Sequence, residues 1–223
     1  MHATYTALLV SLYESNMTIS SCLVRTPGVL APNMADLSPK STMSPPVLSV
    51  SLALSSSNFS PGEEVELSIT VTSHASGPIT IFTWPTIFNI RLALKRKNFE
   101  CIDLDTDTPL NLEITKGGKR GGFTSRSGSN DEKYFYTLMP EEPLMFTSPF
   151  KIANRRGVVT GHRYRFGVRS GEKLEWWTAG IKEDVLTPPG EPAGLAKNDD
   201  GPIELDGVDD IEFVIKGGDT QAT

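Results

Sequence analysis

Val65-Glu66-Leu67-Ser68-Ile69-Thr70-Val71-Thr72 is the stretch that decides the fold. Large apolar residues stand at every second position with polar residues between them, the period of a β-strand with one buried face. Valine, isoleucine and threonine also suit a pleated surface. Ser60-Pro61-Gly62 before the run and Gly77-Pro78 after it are turn signals that bound the strand on both sides.

The same alternation extends outward. Leu48, Val50, Leu52 and Leu54 alternate with Ser49, Ser51, Ala53 and Ser55, and Ile79 to Trp84 forms a β-rich run closed by Pro85. Ile90, Leu92 and Leu94, separated by Arg91 and Ala93, predict a further strand. Shorter strand candidates are Cys101 to Leu104, Leu110 to Ile114, Tyr134 to Leu138 and Leu144 to Ile152. In His162 to Val168 the residues Tyr164, Phe166 and Val168 share a face, and Ile211, Phe213 and Ile215 close the set. No window carries an apolar stripe at helical spacing. The expectation is an all-β, antiparallel immunoglobulin-like sandwich with long loops on residues 47–216. A disordered extension, residues 1–46, is expected before it and a tail, residues 217–223, after it.

Composition agrees with a turn-rich β domain. Of 223 residues, 38% are hydrophobic, and the 19 glycines and 16 prolines exceed what a few loops need. A net charge of −6 argues against electrostatic capture by nucleic acid or an anionic membrane, so neither is expected as a partner. The apolar run Tyr5 to Tyr13 is too short to span a bilayer, lacks a basic flank, and is interrupted by Glu14 and Asn16. A cytoplasmic location is expected, with secretion as the alternative. Two cysteines, Cys22 and Cys101, build no disulfide framework and read as free thiols. Between Ser15 and Pro46 the chain is rich in Ser, Thr, Pro and Met without periodicity, and Met34 and Met43 are alternative starts.

Chemistry-bearing residues are few. Asp103, Asp105 and Asp107 alternate, which on an extended chain gathers three carboxylates on one side. Thr108-Pro109 replaces the glycine an EF-hand needs, so no metal is expected. Gly117-Gly-Lys-Arg-Gly-Gly122 lacks the phosphate-loop pattern and reads first as a solvated mobile loop, made basic by Lys116, Lys119, Arg120 and Arg126, with docking of an acidic partner or small anion as the alternative. His162 is the one tempting base, but no nucleophile elbow accompanies it. Cys101, among apolar neighbours, reads as a structural thiol. Trp84, Trp176 and Trp177 are the most informative aromatics; the two consecutive indoles point in opposite directions on an extended chain, so packing of that segment across the sandwich is the default and a binding face the sharper alternative.

Phe82-Thr-Trp-Pro-Thr-Ile-Phe-Asn89, Gly161-His-Arg-Tyr-Arg-Phe-Gly167, Trp176-Trp177 and Pro188-Pro-Gly-Glu-Pro-Ala-Gly-Leu195 together resemble uncharacterised proteins predicted from filamentous fungi. The likeness covers residues 47–216, implies a fungal source and an intracellular setting, and transfers no catalytic residue. Val65 through Leu92 is also loosely similar to intracellular proteinase inhibitors of immunoglobulin-like fold.

The leading functional expectation is a non-enzymatic binding or protein-interaction module for an unknown protein or small molecule, without a cofactor. Its contact candidates are Trp84, Arg120, Arg126, His162, Arg163, Arg165, Trp176 and Trp177. The alternatives are a small accessory enzyme, an isomerase or cyclase of secondary metabolism using His162, Arg163, Arg165 or Asp184, and an intracellular proteinase inhibitor.

Overall fold

Alternation in the sequence becomes strands with one buried face. The computed structural model describes residues 44–115, 122–195 and 200–217, all within one unit, residues 41–223. The first half contributes β1 (Leu48–Leu54), β2 (Asn58–Phe59), β3 (Glu66–Ser73), β4 (Ile79–Phe82), β5 (Phe99–Asp103) and β6 (Thr108–Pro109). The second adds β7 (Phe135–Leu138), β8 (Leu144–Pro149), β9 (Arg163–Val168), β10 (Lys173–Leu174), β11 (Trp177–Ala179), β12 (Ile203–Glu204) and β13 (Ile211–Ile215). Two single-turn helices, α1 (Ile90–Ala93) and α2 (Lys182–Val185), lie among them. The described chain is all-β in character.

Two sheets carry the core. One has the order β1-β3-β8, antiparallel throughout, with β3 paired along its length on both sides. The other has the order β2-β13-β9-β5-β6 and is mixed, because β2 runs parallel to β13. The chain therefore leaves the first sheet after β1 and joins the second at β2. Leu67, Ile69 and Val71 of β3 are fully buried, as are Tyr164 and Phe166 of β9 and Ile215 of β13, and all belong to one apolar cluster. Phe59 stacks on Phe213 at 5.4 Å, and Phe150 meets both edge-on. Full burial of each such side chain contributes about 1.5–3 kcal/mol before conformational entropy is counted.

Tyr164 adds a polar lock to the core. Its hydroxyl accepts from the Val159 amide at 2.7 Å and donates to the Val159 carbonyl at 3.0 Å, tying the entry loop to β9.

Outside the two sheets, β11-β4-β7 form a three-stranded sheet and β10-β12 a short pair. A second, smaller aromatic cluster forms around Phe82 and Phe135.

Two expected strands are absent. Residues Ile90 to Leu94 form α1 and its cap: Ile90 and Ala93 are the buried positions, three apart as on a helix, and Asn89 offers its carbonyl to the Leu92 and Ala93 amides. Over five residues, apolar positions at i, i+2 and i+4 fit either element, and the buried alanine carries the decision. Leu110 to Ile114 is an irregular segment in which Leu112 is buried and the Ile114 amide bonds to the Lys95 carbonyl. The expected run from Leu144 to Ile152 ends as a strand at Pro149, after which Ile152–Asn154 makes a 3-10 turn.

Candidate ligand cleft

Three segments distant in sequence converge beside the end of β8. Helix α1 and the turn after it bring Arg91, Leu94 and Lys95; the irregular segment brings Leu112; the chain leaving β8 brings Pro149, Lys151, Ile152 and Arg155. They enclose a half-open cleft of about 350 Å³, near the lower end of the roughly 300–1,000 Å³ common for small-molecule sites. Leu94, Leu112, Pro149 and Ile152 make an apolar floor, and four cations stand around it with no carboxylate in the lining.

Arg155 is both wall and strut. Its guanidinium donates to the Leu94 carbonyl at 2.9 Å and to the Leu112 carbonyl at 3.3 Å, clamping the floor segments together. Among the described residues, none of Arg91, Lys95, Lys151 and Arg155 has a carboxylate within ion-pairing distance, whereas Lys97 next door pairs with Glu113 at 3.3 Å. Four like charges gathered without counter-charge repel one another, and an anion placed among them removes that repulsion. Across Pro149 and Lys151 lies a second, more polar cleft bordered by Glu63, Glu64 and Glu66, which disfavours an anion.

His162, Asp103 and Asp105 form the other polar constellation. Asp103 ends β5 and is buried, and His162 precedes β9; the register that pairs Asp103 with Tyr164 brings imidazole Nδ1 to 2.8 Å from carboxylate Oδ2. Burial alone would push the Asp103 carboxyl up, but the His162 ring and the Asp105 amide outweigh it and hold the carboxyl below its ordinary value. Donor atoms of Asp103, Asp105 and His162 lie within 4.8 Å of one another. They are already engaged: Asp105 accepts from the Arg163 amide at 2.8 Å and lies 3.6 Å from its guanidinium, and Asp103 also accepts from the Asp105 amide. The group ties the ends of two strands. Asp107 takes no part, contrary to the expectation of three aligned carboxylates, because β5 stops at Asp103 and Asp107 lies in the turn with φ 51°. Among the described residues, no serine, threonine or cysteine hydrogen-bonds to the free side of His162, so a nucleophile-base pair is not assembled there.

The remaining sequence candidates are dispersed. Arg165 lies 3.4 Å from Asp210, and Arg126 donates to the Glu191 carbonyl at 2.8 Å, fastening the proline-rich loop. Arg120 lies outside the described residues. Trp84 packs against Tyr134 at 4.8 Å and Phe123 at 5.4 Å, with the Arg96 guanidinium above it at 5.9 Å. Trp176 meets Phe135 edge-on at 5.3 Å, so both indoles are half-buried parts of the smaller cluster. Trp177 corrects its reading as a contact residue: it is 2% exposed and donates its indole N–H to the Gly201 carbonyl. The two consecutive indoles do point apart, as an extended chain requires, but each finds a packed environment. Cys101 is buried, and burial, reinforced by nearby Asp103, pushes its thiol up to about 12.

Sequence reasoning missed the cleft. Only the run Lys95-Arg-Lys97 gave a signal, and nothing linked it to Lys151 and Arg155. Among the described residues no helix is long and apolar enough to cross a membrane. No protein-family model matches the chain, and no curated protein matches its sequence.

Proposed function

We propose that the chain is a non-enzymatic binding module on an immunoglobulin-like sandwich, and that its ligand is a small organic anion with an apolar body, seated in the cleft beside β8. The observation that carries this reading is the set of four cations around an apolar floor, none of them ion-paired among the described residues. Carboxylate or phosphate oxygens match the rim, a hydrocarbon or aromatic body matches the floor, and neither nucleic acid nor an extended polyanion fits so small a volume.

Three features support the immunoglobulin-like assignment. The chain switches sheets between β1 and β2, β9 sits between β13 and β5, and the Tyr164 hydroxyl reaches back five residues to backbone as a tyrosine corner does. Phe166 stands two residues later, where antibody domains carry a cysteine, and Cys101 is free, which supports a reducing compartment such as the cytoplasm.

Titration calorimetry with decanoate, decylamine and inorganic phosphate tests the reading. Decanoate is expected to bind, and decylamine is not. Charge reversal of two exposed rim residues, Arg91→Glu with Lys151→Glu, should weaken decanoate by about tenfold or more, equivalent to about 1.4 kcal/mol, without lowering the melting temperature. Equal affinity for acid and amine, or no effect of the double reversal, would overturn it.

A further inference from the structure

Three pieces of chain far apart in sequence meet at one end of the β1-β3-β8 sheet, opposite the end that carries the cleft. Ser49 stands near the start of β1, His74 follows β3, and Glu141 lies in the turn before β8. Antiparallel register brings the first two together: Ser49 pairs with Thr72, and the His74 amide donates to the Val47 carbonyl at 3.0 Å. The Glu141 amide donates to the Ser73 carbonyl at 2.9 Å, and a bridge between Ser73 and Pro140 holds the turn against β3. Glu141 takes φ 59°, a left-handed conformation uncommon for a residue with a side chain.

Their side chains form a linear relay. Ser49 Oγ lies 2.6 Å from His74 Nε2, and both carboxylate oxygens of Glu141 lie 3.0 Å from Nδ1. A carboxylate only accepts, so Nδ1 donates to it, and in the neutral ring Nε2 is left as the acceptor for the serine proton. This is the order of a serine nucleophile, its general base and the carboxylate that orients the base. Alternation along β1 turns Ser49 outward, and all three side chains are exposed, so an incoming molecule can reach the hydroxyl. Ser49 belongs to a hydrogen-bonded pair of the ladder, so Val50 turns its amide away from β3. In α/β-hydrolases the amide after the nucleophile is a donor to the developing oxyanion.

We propose that Ser49 is an acylation site, taking an acyl group from an activated donor, an aryl ester or a thioester, with His74 as general base and Glu141 as positioning residue. A bond forms between Ser49 Oγ and the acyl carbon, and the bond from that carbon to the phenolic oxygen or the sulfur breaks. The serine proton passes to His74 Nε2 and on to the departing phenolate or thiolate. The acyl group ends on the chain itself, so the reaction is separate from ligand binding in the cleft.

Acetylation by p-nitrophenyl acetate, quenched in acid and located by peptide mass spectrometry, tests the proposal on the full chain. Ser51 is the internal reference: it is exposed on the same face of β1 and has no hydrogen bond to a histidine. Ser49 is expected to react at least about a hundredfold faster than Ser51. His74→Ala should remove that advantage, and imidazole added to the buffer should restore part of it. Glu141→Gln should slow Ser49 in the unaltered chain and change nothing in the His74→Ala background, because Glu141 acts only through the ring. Equal rates at Ser49 and Ser51 would overturn the proposal. So would a His74→Ala chain that melts normally and still acetylates Ser49 at the original rate.

Discussion

Replacing Tyr164 by phenylalanine removes one oxygen from the protein and tests the lock at the start of β9. The ring is fully buried and stacks on Phe213 at 5.4 Å, so the substitution keeps the packing and loses only the hydroxyl. That hydroxyl makes two hydrogen bonds to Val159, at 2.7 and 3.0 Å. Val159 is 45% exposed, so water can reach its freed amide and carbonyl, and the loss stays near the net value of the bonds instead of the full cost of an orphaned buried group. At about 0.5–1.5 kcal/mol per bond, the pair contributes about 2 kcal/mol. For a domain of this size, that lowers the melting temperature by about 4–8 °C. Differential scanning calorimetry of Tyr164→Phe reads the shift. Tyr136→Phe is the control, since that tyrosine is exposed on β7. A fall under about 1 °C for Tyr164→Phe would mean that the loop is held by something other than this hydroxyl.

Other perturbations probe the core, the ion pair and the thiol. Ile69→Asp places a charge at a fully buried position in the central strand β3 and should abolish the cooperative melt by circular dichroism. Asp103 has a depressed carboxyl, so its contribution to stability is present above the ordinary carboxylate value and is lost as pH falls through the lower folded value. Asp103→Asn should therefore flatten the acid limb of stability against pH below about 4, measured by urea unfolding across pH. Cys101, raised to about 12 and buried, should resist a thiol reagent at pH 8 in the native state and react fully in denaturant; fast native labelling would show that its pocket opens.

The strands with long alternation were legible in the sequence because a half-buried sheet face imposes period two on every residue. β1, β3, β9 and β13 appear where that pattern lies. Short apolar runs were ambiguous, and Ile90 to Leu94 became helical because Ala93, small enough to read as a spacer, is the buried residue. The strands β2, β6, β10 and β12, with two residues each, are too short to show any period. The cleft was illegible for another reason: Lys95, Leu112, Lys151 and Arg155 meet only because α1 packs on β8 and Arg155 reaches two distant carbonyls. Local pattern holds no trace of such a meeting. The alternating aspartates failed because strand β5 ended one carboxylate into the series.

The parallel pairing of β2 with β13 has a consequence for synthesis. Among the described residues Asn58 and Phe59 find their strand partners in Val214 and Ile215, so the ribosome must add roughly 150 residues before that seam can close, about 8–30 s at ordinary elongation rates. Throughout that interval Phe59 lacks the Phe213 ring that stacks on it. Chaperone dependence should therefore fall on the nascent chain more than on the finished one, and a stall near the last strand should be more harmful than its small share of the length suggests.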